Sequence, residues 1–346
     1  MSLPPEFALI ARHFAPLAGE GALGLTDDAA LLEPPPGRTL VLAADAMVSG
    51  VHFLPDDPPD SIGRKLLRTN LSDLAAMGAE PLGYLLTIAL PAQGDAAAPP
   101  LAAGDQRSAS AGTAAATPRG AWLAAFAAGL AADQAEFGVR LLGGDTVSTP
   151  GPLCLSLTIL GLVPPGQALL RAGARAGDSL WVSGTVGDGA LGLLVGQGRL
   201  PPDADGHLLR RYRLPEPRLA LGVALRGVAR AAMDVSDGLL QDCGHLCRLA
   251  GCGAVIEAAA IPLSHAARAA LDADASLLSV IAGGGDDYEL LFAAPPGADA
   301  AVRAASAATG IPVTRIGRFT DGPVAVTLRD ETGRDITPAA AGWSHV

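Results

Sequence analysis

Lysine is almost absent from this chain. Lys65 is the single lysine among 24 basic residues, so arginine carries nearly all the positive charge. A P-loop needs Gly-Lys ahead of Ser or Thr, and the one lysine sits in "GRKLL", so that phosphate cradle is excluded. A kinase-type glycine loop with its downstream lysine and His-Arg-Asp set is missing too. No G-x-G-x-x-G follows a strand-like run, and "GDSLW" lacks the closing glycine of a nucleophile elbow. Cysteine is scarce: Cys154, Cys243, Cys247 and Cys252 follow no zinc spacing and read as buried free thiols of a reducing cytosol. No window reaches the roughly 18 uncharged apolar residues of a membrane span. The start, "MSLPPEFALIARHF", carries charges inside its short apolar run, so no signal peptide and a cytoplasmic location are expected. A net charge of −11 argues against nonspecific nucleic-acid binding and suits a protein that recruits divalent cations.

What is present is a globular composition, 49% hydrophobic, in 346 residues, too many for one ordinary core. Helices are expected at 6–15, 60–77, 121–137, within "TVGDGALGLLVG", near 216–230 and at 237–250. Strands are expected at "ALLE", "TLVLAAD", "LGYLLTIALP", "VRLLGG", "LCLSLTILGLV", "SLWVSG", "GAVIEA", "YELLFAA", "VTRIG" and "PVAVTL". Helices and strands mix without strict alternation, which predicts α+β architecture. A boundary is expected near 165, giving domains 1–164 and 165–346, with a mobile Ala/Gly/Pro-rich loop at about 92–120.

Carboxylates recur beside glycines and apolar runs. Asp27-Asp28 stand in "GLTDDAALL", Asp45 in "AADAM", Asp73 in "NLSDLAAMG" and Asp145 in "LLGGDTV". Asp234 and Asp237 stand in "AMDVSDGLL", and Asp286, Asp287 and Glu289 in "GGGDDYELLF". Each has a plain structural reading as turn, cap or solvated face. Together, at Asp28, Asp45, Asp73, Asp145, Asp234 and Asp237, they suit hard cations that bridge carboxylates to phosphate. Phosphoryl transfer needs such positioning and charge neutralisation more than covalent help. Gly143-Gly144 and "SGTVGDGALG" offer backbone N–H groups to a phosphate. His52 reads more readily as a structural histidine, and Arg171 as a linker charge.

In this order, "EFALIARHF", "DDAALL", "SGVHFLP", "NLSDLAAMGAEP", "FGVRLLGGDT", "LLRAGARAGD", "VSGTVGD", "AMDVSDGLLQDCGHL" and "GGGDDYELLF" resemble the thiamine-monophosphate kinase family. That family lies within the PurM-like, aminoimidazole ribonucleotide synthetase superfamily. The resemblance implies a two-domain PurM-like fold and a homodimer whose N-terminal domains pair into a β-barrel. It implies direct in-line transfer from ATP to thiamine monophosphate, giving thiamine diphosphate, assisted by several Mg²⁺ ions. By position, Asp28, Asp45, Asp73, Asp145, Asp234 and Asp237 are then metal ligands, forming one distributed cage where the domains meet, while Asp27 orients its turn. Gly144, Asp145, Arg171 and Ser236 fall on the ATP side. His52, Asp286 and Trp343 fall on the thiamine side.

The chain departs from the family pattern at Ala43 and Ala44, where hydroxyl residues usually precede the acid, and at Asp286, where Glu is common. Among sister activities, selenophosphate synthetase needs an N-terminal reactive Cys or selenocysteine, and no cysteine precedes residue 154. The hydrogenase maturation dehydratase ends in a reactive Cys, whereas this chain ends "GWSHV". A non-catalytic metal–nucleotide binder is the reading of a different class.

Overall fold

The structure, a computed structural model, describes residues 5–92, 118–339 and 342. It forms two compact units. The first takes Met1–Pro35, Leu42–Asn70 and Pro81–Leu160, and the second Pro36–Val41, Leu71–Glu80 and Gly161–Val346. The expected loop at about 92–120 falls largely on 93–117, outside the described residues, as does Trp343.

A four-stranded sheet organises the first unit. Its strands are β1 (Thr39–Val48), β2 (Glu80–Pro91), β3 (Leu141–Thr149) and β4 (Cys154–Val163), in the order β1-β4-β2-β3. Three helices, α1 (Pro5–His13), α2 (Pro59–Ala76) and α3 (Pro118–Phe137), accompany it. Strand burial alternates, as a sheet covered on one side requires: Leu86, Ile88 and Leu90 of β2 are buried while Leu85 and Thr87 are exposed. Ile62, Leu66 and Leu67 give α2 its apolar stripe, and Leu66 and Leu67 are fully buried. Each such burial stabilises by about 1.5–3 kcal/mol. Glycines let α2 and α3 approach closely, since a Cβ on Gly129 would overlap the Asp60 carbonyl. Arg68 of α2 then grips Asp133 of α3 with both ends of its fork, at 2.7 and 2.8 Å.

The "ALLE" stretch is irregular, not a strand. Leu31 makes one ladder-like bond, N–H to Gly21 carbonyl at 2.8 Å, and Pro34, Pro35 and Pro36 behind it supply no donors to continue. The "VRLLGG" strand, by contrast, runs past its glycines as far as Thr149. Asp145 therefore sits within a strand, opposite Thr87, and Asp45 sits within β1. The parallel β2–β3 pair comes so close at Gly144, where φ is 152°, that a Cβ would overlap the Leu86 carbonyl oxygen.

The second unit holds a six-stranded sheet. Its strands are β5 (Ser179–Ser183), β6 (Ala231–Asp234), β7 (Gly253–Glu257), β8 (Leu290–Ala294), β9 (Val313–Thr320) and β10 (Val326–Arg329). Their order is β10-β7-β9-β5-β8-β6; β10 runs parallel to β7 and the other pairings are antiparallel. Central strands are buried on both faces, and the period of two divides them between two cores. Leu180 and Val182 of β5 join one core with Leu291 and Ala293 of β8, while Trp181 joins the other with Leu290 and Phe292. The described helices are α4 (Asp188–Gly196), α5 (His207–Arg213), α6 (Leu219–Ala224), α7 (Leu239–Ala250), α8 (His265–Ala273), α9 (Leu278–Gly283) and α10 (Asp299–Thr309).

The helix expected near 216–230 shrinks to the six residues of α6. Pro215 and Pro217 precede it, and Gly227 turns left-handed behind it at φ 72°. Cys243 and Cys247 of α7 are free thiols buried in the first core, and Cys252 is buried beside them. Periodicity predicts no helix for α5, α8, α9 or α10: α5 and α9 are only seven and six residues long, and α8 and α10 are built largely of alanine.

Candidate functional site

In the first unit, a loop closes on itself between Gly21 and Leu31. Gly21 adopts φ 86°, and a Cβ there would overlap the Leu31 carbonyl oxygen. Leu23, Gly24 and Leu25 continue in left-handed conformations, so the chain reverses sharply and carries Asp27 and Asp28 out on its exposed side. Both carboxylates line a cavity of about 690 Å³, together with Gly143, Gly144 and Asp145 from β3 and Thr87, Ser156 and Thr158 from the neighbouring strands. An adjacent pair of acids and a third remote from it in sequence thus line one space, alongside backbone that only glycine can supply. Asp145 is exposed and takes the N–H of Thr146 at 2.8 Å, leaving further lone pairs toward solvent.

Asp45 and His52 are held elsewhere in this unit. The Asp45 N–H donates to Oδ1 of buried Asn70 at 3.1 Å. His52 Nδ1 accepts the Val48 N–H at 3.0 Å, which leaves the ring proton on Nε2, and its carbonyl receives the ammonium of Lys65 at 3.1 Å. The lone lysine is itself buried, so it fixes this turn rather than reaching toward a ligand.

In the second unit, β6 ends on Asp234, only 3% exposed, and Ser72 Oγ donates to its Oδ2 at 2.7 Å. Asp73, the next residue of α2, is half-buried. Past Asp234 the chain turns through Val235–Gly238 into α7. One carboxylate oxygen of Asp242 collects the N–H groups of Ser236, Asp237 and Gly238, each at 3.1 Å. Burial, together with the negative charges of Asp234 and Asp237, pushes the Asp242 carboxyl up to about 7. Arg171 lies near enough that burial, Arg248 and Arg171 together depress the His245 pKa, against the opposing charge of Asp237.

A third segment, Gly284–Glu289, packs against this turn. Its backbone is strained: Asp286 and Tyr288, neither a glycine, adopt φ 70° and 53°. Asp286 N–H donates to the Ser236 carbonyl at 2.9 Å and Tyr288 N–H to that of Val235 at 2.8 Å. The Tyr288 hydroxyl donates to Asp286 Oδ1 at 3.2 Å. Asp287 is buried and accepts the N–H groups of Gly187 and Gly189 at 2.7 and 3.0 Å; burial pushes its carboxyl up to about 8 despite those donors. Fully buried Glu289 accepts from Ser183 at 2.6 Å, Arg211 at 2.9 Å and Arg218 at 2.7 Å. Arg211 also donates to the Asp287 carbonyl at 3.1 Å.

The structure therefore brings Asp28, Asp145 and Gly144 to one cavity of the first unit. It brings Asp234, Ser236, Asp237 and Asp286 into one group of loops in the second. Among the described residues, no three His, Cys, Asp or Glu side chains form a group that could hold a metal ion. The donor chemistry at both places is nonetheless oxygen alone, as Mg²⁺ prefers, and the repulsion felt at Asp242 is of the kind a cation relieves. The sequence reading gave no role to Asp242, Asp287, Glu289, Arg211 or Arg218. Only Asp242 had a legible signal, an acid in the first turn of a helix behind a glycine. Asp287 and the arginines act on partners far along the chain, which no local pattern reveals.

Residues 26–163 match the model of the AIR synthase related protein N-terminal domain, and residues 175–329 that of its C-terminal domain. The chain is 47% identical to the thiamine-monophosphate kinase of Caulobacter vibrioides, covering 99% of this chain and 91% of that protein. The crystal structure of thiamine-monophosphate kinase from Stenotrophomonas maltophilia K279a superposes with a TM-score of 0.75 at 40% identity, covering 88% of this chain and 90% of that one. A solved structure described as AaThiL complexed with AMPPCP and TMP gives a TM-score of 0.73 at 26% identity, covering 92% of this chain and 91% of that one. Two AIR synthase related domains and kinase relatives matched over almost the whole length agree: the chain belongs to the thiamine-monophosphate kinase family.

Proposed function

We propose that this chain transfers the γ-phosphate of ATP to thiamine monophosphate, giving thiamine diphosphate and ADP, with Mg²⁺ held by its carboxylates. The observation that carries this reading is the cavity shared by Asp28, Asp145 and Gly143-Gly144, in a chain 47% identical to a thiamine-monophosphate kinase. Asp28, Asp45, Asp73, Asp145, Asp234 and Asp237 are assigned to the metal ions. Bound Mg²⁺ would neutralise phosphate charge and fix the reacting oxygens in line. The rest falls to the chain itself. Gly144 and the N–H groups beside it admit phosphate closely, Arg171 supplies a cation, and Ser236 presents the turn that Asp242 organises. Asp286, His52 and Trp343 are assigned to thiamine monophosphate. With the one lysine buried, arginine is the only long cationic side chain left to meet phosphate.

A homodimer is part of the proposal. Leu42 of β1 and Val147 of β3 stand 63% and 44% exposed on outward strand positions, apolar surface that a second copy would cover. A cytoplasmic location fits the free cysteines and a need for ATP. Among the described residues, no helix is long and apolar enough to cross a membrane.

The test is thiamine diphosphate formation by purified protein from ATP, thiamine monophosphate and Mg²⁺, with and without EDTA. Product that EDTA abolishes, and that Asp234→Asn lowers by about a thousandfold or more, is the expected result. Bound nucleotide without product would make the chain a non-catalytic binder instead.

A further inference from the structure

We propose that Asp287 is a positioning residue for the phosphate acceptor: its carboxyl clasps the turn Gly187–Gly189 and so fixes where Asp286 stands beside Ser236. This rests on the reading of Asp286 as a residue of the thiamine side. Asp287 is only 1% exposed, and its two oxygens each take one backbone N–H, from Gly187 at 2.7 Å and from Gly189 at 3.0 Å. A side chain spent on two amides of a single turn holds that turn in one place.

Three loops meet here through bare backbone. A Cβ on Gly189 would overlap the carbonyl of Asp286, and one on Gly285 would overlap the carbonyl of Ser236. Nothing cushions these contacts, so a shift of the 187–189 turn passes directly to Asp286 and from it to Ser236. Asp286 and Tyr288 also hold left-handed backbone that the chain alone would not keep, at φ 70° and 53°. Restraint comes from both sides: the Asp287 carboxyl toward the glycine turn, and Arg211 on the Asp287 carbonyl at 3.1 Å. Asp188, between the two glycines, anchors the same turn outward. It is fully buried and accepts from Ser264 at 2.5 Å and Thr185 at 2.6 Å, with His207 Nε2 at 3.0 Å. The glycine turn is thus a fixed post and Asp287 the strut between it and Asp286.

Asp287→Asn is the direct test, because the amide nitrogen has no lone pair for one of the two N–H donors. The expected result is a KM for thiamine monophosphate raised about tenfold or more, with KM for ATP within about twofold and kcat within about threefold. Val255→Ala, a core variant of the same unit, reports what lost stability alone does. Asp287→Asn behaving like it, with a lower Tm and both KM values unchanged, overturns the proposal. Asp286→Asn separates the two levels. If it raises KM for thiamine monophosphate and Asp287→Asn does not, only the positioning role fails; if neither does, the assignment of Asp286 to the substrate fails with it. Should Asp287→Asn not fold, hydrogen exchange on the wild-type protein decides. Added protection of the 184–190 peptide by thiamine monophosphate, but not by a non-hydrolysable ATP analogue, supports the strut, and no added protection overturns it.

Discussion

Asp242 and Asp287 are carboxyls that burial drives toward the neutral form, to about 7 and about 8. Asp242 spends one oxygen on three backbone N–H groups of a turn and Asp287 spends both on two, so each exchanges hydration for the shape of a loop. For Asp287 this has a consequence in pH. Its folded value of about 8 lies above the ordinary 3.8, so between those values the folded chain binds more protons than the unfolded one. Stability from this group is complete at low pH and is lost as pH rises toward about 8. Without divalent cations, Tm should therefore decline from pH 5 to pH 8 more steeply in the wild-type protein than in Asp287→Asn. Parallel slopes would show that Asp287 titrates normally. The environment of Asp287 cannot be read from its neighbours in sequence: "GGGDDYELLF" shows two like acids, and only folding leaves Asp286 half-exposed and Asp287 buried.

At the scale of elements, helix α2 shows how much a pattern can carry. Ile62, Leu66 and Leu67 recur at helical spacing, and Gly78 stops the helix in a Schellman turn, with Ala79 N–H to Leu74 carbonyl at 2.7 Å and Gly78 N–H to Ala75 carbonyl at 2.9 Å. Its partner was not legible. Arg68 looks like one more surface cation, yet it is 5% exposed and doubly bonded to Asp133, which is fully buried. Arg68→Met should lower stability by about 3 kcal/mol, because Asp133 keeps its burial and loses its bidentate partner. Chemical denaturation measures this, and a loss under about 1 kcal/mol would mean that Arg64, 2.8 Å from the same carboxylate, suffices. The failed strand at "ALLE" has the converse cause. Its residues suit a strand, but the prolines behind it remove the donors a ladder requires.

At the scale of the whole molecule, the proposed dimer makes a prediction of its own. Leu42→Glu places a charge on the exposed β1 position without touching the cavity lining or the buried face of the sheet. Sedimentation should find the wild-type protein dimeric and this variant shifted toward monomer. A monomeric wild-type chain would remove the dimer from the proposal and leave the phosphotransfer reading intact.

Fold class and family were legible in the order of residues. Hydrophobic spacing set the main helices and strands, the solitary lysine ruled out the common lysine-based phosphate sites, and the order of the acidic motifs pointed to the family. Those features are local, or depend only on order along the chain. The contacts and burial of each acid were set only on folding. Asp145 became a strand residue on a cavity with Asp28, Asp242 became the organiser of the 236–238 turn, and Asp287 became a strut to Gly187 and Gly189. The reason is physical: a carboxylate's role is set by its burial and by which N–H groups reach it; those of Asp242 come from the turn just before its own helix, whereas those of Asp287 come from a loop 98 and 100 residues away.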